Sequence, residues 1–308
     1  MTLILATDSV QGHLTYPYVY FYNRLELSIY NNREKMVISS LANTRIKQIR
    51  ALRHRPERER SELFFIEGIR QVIEAVQLGA PIEQIVYAPE LLKSEIALET
   101  IQQQQKAGII CLEVTAEVFK SLSVKEGPQG IGAVVRQRWE PLTHLHLTNE
   151  LCWVALDAAQ DPGNIGTILR TADAVGCAGL ILLGHSADPY DPGALRASMG
   201  AIFSQRLIKA SFEEFARWKK QERVFVVGTS GAAATDYRAA RYPRPLVLLM
   251  GSEREGLSPQ QQAICDLMVS IPMVGRSDSL NLAVATGIIL YEIFYQARSA
   301  ATSQPPRP

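Results

Sequence analysis

The chain has 308 residues and a mass of 34.2 kDa; 47% hydrophobic and 20% charged residues exclude wholesale disorder and leave room for two domains. The formal net charge of +1 supplies no global attraction to a polyanion, so any surface for nucleic acid has to be local. No run approaches the roughly 18 apolar residues of a membrane span, and Leu3–Ala6 is too short and too poor in early cations for a signal peptide.

The four cysteines are spread through the sequence without a CxxC, three of them in apolar runs. That usage predicts reduced structural thiols in a cytoplasmic protein rather than a disulfide framework or a thiolate metal site. His144 and His146 form the one close histidine pair, in a polar stretch without further ligands, so no metal is expected.

Residues 1–36 are rich in Tyr and Asn without a clear period, and are expected to form a poorly ordered extension, as from an over-long start. From Asn43 to Arg60 seven cations stand against Glu57 and Glu59. A solvated helix face and a phosphate-contacting surface both account for such a run. Short apolar runs at Leu63–Ile66, Gln84–Tyr87, Ile109–Val114 and Ile131–Val135 predict strands, with helices over 68–78 and 89–106. The four Gln of 102–105 read as helix surface. Lys125–Gly130 reads as a Gly/Pro-punctuated loop, either a partner contact or a hairpin-type connection. Apolar periodicity lapses over 137–150, which sets the boundary between an α/β domain of residues 37–136 and a second of 151–298; residues 299–308 form a tail expected to be disordered.

From Cys152 the pattern alternates strand and helix: Cys152–Asp157, a helix to Val175 stopped by Gly176, then Leu180–Leu183, Phe203–Ala210, Val224–Gly228 and Leu246–Met250 as further strands. This predicts a mostly parallel sheet covered on both faces, with ligands at the carboxyl ends of its strands. Ser258-Pro259 opens a helix, Met268–Ile271 is a short strand, and a polar loop leads to a long apolar helix over 281–295.

Three constellations can carry chemistry. In the first, Asn164 is a candidate N-cap, Ile165, Ile168, Leu169 and Ala172 keep a helical apolar stripe, and Arg170 falls off it. No G-x-G-x-x-G is present, so a dinucleotide reading is weak. The second, Gly251 to Ser258, has the spacing of a phosphate-binding loop, but Leu257 stands where Lys belongs and two carboxylates would repel a triphosphate. In the third, Gly275 to Asn281, Ser279 or Asn281 can cap the last helix, or the loop backbone can bind an adenine-like edge.

Together the three segments closely resemble the SpoU (TrmH) family of SPOUT-class RNA ribose methyltransferases, in the family's order, from Asp157 to Tyr291; residues 43–136 resemble the small RNA-binding domain of members acting on ribosomal RNA. The resemblance implies an α/β fold whose C-terminal parallel sheet is threaded through a trefoil knot, which periodicity alone would never propose. It also implies S-adenosylmethionine as cofactor and an obligate homodimer with sites at the subunit interface. The activity it implies is 2′-O-methylation of structured RNA, 23S-type ribosomal RNA before tRNA. A non-catalytic RNA-binding protein is the rival.

Carried over, Thr229, Gly251, Ile271 and Leu280 match cofactor-contacting positions, and Asn164, Arg170, Glu253, Ser279 and Asn281 match the polar catalytic set. Arg50, Arg53 and Arg55 are the expected RNA contacts. A guanidinium stays protonated in proteins, so Arg170 suits phosphate anchoring and alkoxide stabilisation better than proton removal, with Glu253 expected to hold Arg170 or Asn281.

Overall fold

The computed structural model describes residues 37–124 and 126–302. The extension expected over 1–36 lies outside the described residues, as does most of the expected tail. In chain order the elements are α1 (Thr44–Ala51), α2 (Arg55–Ser61), β1 (Leu63–Glu67), α3 (Ile69–Gln77), β2 (Ile82–Tyr87), α4 (Glu95–Lys106), β3 (Ile110–Glu113), α5 (Ala116–Leu122) and β4 (Ile131–Arg136). Then come β5 (Trp153–Asp157), α6 (Pro162–Val175), β6 (Gly179–Leu183), α7 (Pro192–Ser198), β7 (Arg206–Ala210), α8 (Phe212–Glu222) and β8 (Phe225–Thr229). The chain ends in β9 (Thr235–Asp236), β10 (Leu246–Met250), α9 (Pro259–Ala263), β11 (Leu267–Ser270) and α10 (Leu282–Thr302).

The fold is α/β, with two sheets. β1-β4-β2-β3 is mixed, with β4 antiparallel to both neighbours and β2 parallel to β3. The described part of the expected loop, 126–130, lies between α5 and β4 and so is not a β-hairpin turn. The second sheet, β7-β6-β5-β10-β8-β11-β9, is parallel throughout. β6 and β10 are buried along their whole length, as expected for strands covered on both faces.

The helices over this sheet start where the sequence provides the caps. Asp161-Pro162-Gly163 and Asp191-Pro192-Gly193 open α6 and α7 alike, each Asp accepting a hydrogen bond from the Gly N–H with Pro at the first helical position. Asp161, not Asn164, is thus the N-cap of α6: the proline marks the first turn, leaving Asn164 inside it. Gly176 closes α6 in the left-handed region, at φ 75°. Ile165, Ile168, Leu169 and Ala172 are all buried on its inner face. The last helix continues to Thr302, past the end expected near Tyr295.

The polar stretch between the sheets does not hold them apart. Arg58, 1% exposed, donates from Nε to Asp188 at 2.7 Å and from Nη2 to Asp191 at 3.1 Å. Phe64 packs against Tyr190 at 4.5 Å between ring centroids, and the Tyr190 hydroxyl accepts from the Arg138 N–H while donating to the Arg138 carbonyl. One apolar cluster runs from Phe64 and Ile85 to Leu156 and Ile168. Cys152 and Cys177, distant in sequence, lie with sulfurs 3.1 Å apart inside the core, both as free thiols.

Candidate active site

β10 sits between β5 and β8, so the loop that follows it emerges at the middle of the sheet's carboxyl edge. Gly251 makes the turn possible: a Cβ there would overlap the Gly256 carbonyl and the Leu257 N–H. The loop closes on itself by Ser252 N–H to Gly256 O at 3.2 Å and Gly256 N–H to Ser252 O at 3.0 Å. Beneath it Ser258 and Gln261 form a capping box that starts α9.

Loop 251–256, the ends of β8 and β11, and the loop into α10 enclose a cavity of about 320 Å³. Thr229, Gly251, Glu253, Ile271, Ser279 and Leu280 all line it, six residues singled out from the sequence. From Pro272 to Leu280 no main-chain hydrogen bond is made among the described residues, which leaves a run of backbone donors and acceptors at the rim.

At the mouth the polar side chains form a chain of hydrogen bonds. Asn281 Nδ2 donates to Asn164 Oδ1 at 2.9 Å, and Asn164 Nδ2 donates to Glu253 Oε1 at 2.6 Å. Asn281 Oδ1 meanwhile accepts from Ala283 and Val284 N–H, so it caps α10 as well. Glu253 therefore holds Asn164, rather than Arg170 or Asn281 directly.

Gln160 is a residue that sequence reasoning missed. Its backbone N–H donates to Glu253 Oε2 at 3.3 Å, while its side-chain amide donates to the carbonyls of Ala158 at 3.0 Å and His185 at 2.8 Å. The only local sign of this turn is conformational: Ala158 sits at φ 48°, which Ala rarely adopts and no sequence pattern reveals.

The remaining expected residues fall elsewhere. Arg170 is exposed on α6, six positions beyond Asn164, and makes no hydrogen bond or ion pair with Asn164, Glu253 or Asn281 among the described residues. Arg50 Nη2 donates to Ser121 Oγ at 2.8 Å, and Arg53 Nη2 to the carbonyls of Ser121 and Ser123 at 2.8 Å each. Burial lowers the Arg53 pKa, with help from the nearby Arg50 charge. Through Nη2 these two guanidinium groups tie the α1 region to the end of α5. Arg55 is about half exposed; it pairs with Glu59 and donates to the Ser186 carbonyl at 3.2 Å.

Known proteins resemble this chain over most of its length. The profile of the SpoU rRNA Methylase family matches residues 152–291, and that of the MRM3-like substrate binding domain matches 43–133. A 23S rRNA (uridine(2479)-2′-O)-methyltransferase of Streptomyces viridochromogenes is 34% identical over 275 residues, covering 86% of this chain and 94% of the relative. The 23S rRNA (guanosine(2553)-2′-O)-methyltransferase RlmP of Bacillus subtilis is 30% identical over 256 residues, covering 83% and 98%. The crystal structure of an AdoMet-bound rRNA methyltransferase from Sinorhizobium meliloti superposes with a TM-score of 0.78 at 39% identity, covering 84% of this chain and 97% of that one. The Asn164–Glu253–Asn281 set and the cavity behind it thus stand in a member of the SpoU rRNA methylase family, an S-adenosylmethionine-dependent RNA methyltransferase.

Proposed function

We propose that the protein methylates a ribose 2′-hydroxyl of 23S-type ribosomal RNA, acting in the cytoplasm as a homodimer. The observation that carries this is the hydrogen-bonded Asn281–Asn164–Glu253 chain at the mouth of the cavity behind loop 251–256. The two relatives named for 23S ribosomal RNA support that substrate over tRNA, and the matched substrate-binding domain argues the same way.

The cavity suits S-adenosylmethionine. Gly251 leaves no side chain where loop 251–256 folds back, Ile271 and Leu280 give apolar walls, and the unpaired main chain of 272–280 can match an adenine edge. When bound, the cofactor supplies an electrophilic methyl group. The chain's own residues do the rest: positioning the ribose and stabilising charge as the hydroxyl loses its proton. Asn164 and Ser279 would orient the ribose, and Glu253 would fix the amide of Asn164.

Arg170 would anchor RNA phosphate and steady the developing alkoxide, consistent with a fixed cation and not with a proton acceptor. That it makes no bond to the polar set among the described residues of one chain is consistent with a site completed by a second protomer. α10 presents an exposed stripe of Val284, Tyr291 and Tyr295, and it packs closely on α6 where Gly287 meets Thr171. That stripe is the face we assign to the dimer. The strand order, with β10 inserted between β5 and β8, supports a knotted C-terminal segment. Of the basic set, Arg55 is kept as an RNA contact.

Mapping of 2′-O-methyl groups in total ribosomal and transfer RNA, wild type against an Arg170→Ala strain, tests the reading. Loss of one ribosomal methyl group is expected. An unchanged map, with purified protein that does not bind S-adenosylmethionine, would favour a non-catalytic RNA-binding role.

A further inference from the structure

Between the two sheets lies a second cavity, of about 490 Å³, that the methyl-transfer site does not use. α2 contributes Arg55 and Glu59 to one wall, and the end of β6 and β7 contributes Gly184, Ser186 and Lys209 to the other. Trp139, from the stretch joining the two sheets, also lines it.

Trp139 is 36% exposed, whereas Trp153 and Trp218 are buried. Its ring is held in place: Nε1 donates to Gln137 Oε1 at 2.8 Å, and the ring meets Tyr190 edge-on at 5.5 Å. Tyr190 is itself fixed by both main-chain groups of Arg138. A rigid, half-exposed indole in a cleft offers a stacking surface at little entropic cost. The Lys209 side chain is exposed, with no hydrogen bond and no ion pair within 4 Å among the described residues, and its charge acts on Glu59 across the cleft. Arg55 uses Nε and Nη1 on Glu59 and Ser186, leaving Nη2 without a hydrogen-bond partner among the described residues.

The position along the sheet decides what such a cleft would hold. In the order β7-β6-β5-β10, Lys209 and Gly184 lie on the same carboxyl edge as Gly251. At about 4.8 Å per strand, the two sites are about 14 Å apart, within a few nucleotides of one RNA strand. Proteins recognise unpaired RNA by stacking bases on aromatic rings while cations hold the backbone.

We propose that this cleft takes an unpaired base of the RNA substrate a few nucleotides from the methylated ribose, stacked on Trp139, with Lys209 and Arg55 on the flanking phosphates. The proposal rests on the RNA-methyltransferase reading for its substrate. It adds a site that selects which ribose is presented.

The test uses the full-length protein, S-adenosylmethionine and a 23S ribosomal RNA transcript, following tryptophan emission and methyl transfer. The transcript should quench the emission of the wild type and not that of Trp139→Leu. Trp139→Leu should raise KM for RNA about tenfold with kcat within about twofold, and Trp139→Phe should restore KM. Lys209→Glu, on an exposed strand position that the fold does not depend on, should raise KM similarly and flatten its salt dependence. If the wild type methylates the transcript with unchanged emission, and both variants keep wild-type KM, the cleft proposal is overturned while the activity stands. Quenching without methyl transfer to ribosomal RNA would keep the cleft and remove the activity. Neither quenching nor transfer would remove both.

Discussion

Asn281 Nδ2 donates to Asn164 Oδ1 at 2.9 Å across 117 positions of sequence. The direction of this bond is set by the helix behind it. Asn281 Oδ1 is committed to the first N–H groups of α10, so only the NH₂ end can face Asn164. Asn164 must then present its oxygen to Asn281 and its NH₂ to Glu253. A helix cap thus orients both asparagine amides at the mouth of the site.

Asn281→Asp separates the two tasks of that residue. Asp caps a helix as well as Asn, so the melting temperature should stay within about 2 °C. The donor to Asn164 is lost, and a second carboxylate beside Glu253 leaves the Asn164 amide without a consistent orientation. Methyl transfer should fall at least about tenfold in kcat, read in a single-turnover assay. Asn281→Ala should lose both activity and about 1 kcal/mol of stability.

Gly251→Ala is expected to abolish cofactor binding before it unfolds the protein. The new Cβ would meet the Gly256 carbonyl and the Leu257 N–H, both main-chain groups that cannot swing aside. Loop 251–256 must open, and with it one wall of the cavity. Titration calorimetry should show S-adenosylmethionine affinity reduced by at least about tenfold, while far-ultraviolet circular dichroism stays that of the wild type.

Arg58→Met removes the cation from a buried pair and leaves Asp188, 8% exposed, without it. Breaking one side of a buried ion pair costs about 3–5 kcal/mol. Thermal melting should fall by roughly 10 °C, at about 2–4 °C per kcal/mol for a fold of this size. Cofactor affinity of the protein that remains folded should change little, since Arg58 touches none of the cavity wall.

Burial pushes the Cys111 and Cys265 thiols up to about 11. Cys152 is raised too, by its contact with Cys177 and by burial. At pH 8 about one part in a thousand of a thiol at 11 is thiolate, against about a quarter for a free cysteine. Alkylation by iodoacetamide at pH 8, followed by mass spectrometry, should be about a hundredfold slower for the folded protein than in urea. The same shifts fix the sign of a stability change. Above pH 9 the folded protein holds protons that the unfolded chain releases, so these groups' contribution is full below about 9 and lost as pH rises toward 11.

The parts of this architecture that depend on neighbouring residues could be seen in the sequence. The all-apolar run of β10 and the 3.6-residue stripe of α6 are local patterns, and both elements lie where they predict. The Asp-Pro-Gly start of α6 was equally local, yet Asn164 drew the cap assignment because its side chain suits the role. What stayed hidden depends on distant partners. Arg58 looks like one more cation in a charged run, and becomes a buried anchor because Asp188 and Asp191 arrive from far along the chain. Arg50 and Arg53 turn toward the end of α5 for the same reason, Arg50 onto the Ser121 hydroxyl and Arg53 onto the Ser121 carbonyl. β9 is two residues long and α5 only seven, too short for a period to register.

Strand β10 enters the middle of its sheet after both flanking strands, β5 and β8, have been made. The polypeptide is therefore synthesised in an order in which the sheet's centre is missing until late, and the Asn164 amide waits more than a hundred residues for Asn281. A nascent chain carrying the whole substrate-binding half could hold RNA while having no means to modify it. With Asn281 in the proposed role, methyl transfer is expected only once translation has passed the first turn of α10, and a proteolytic fragment ending before it is expected to be inactive.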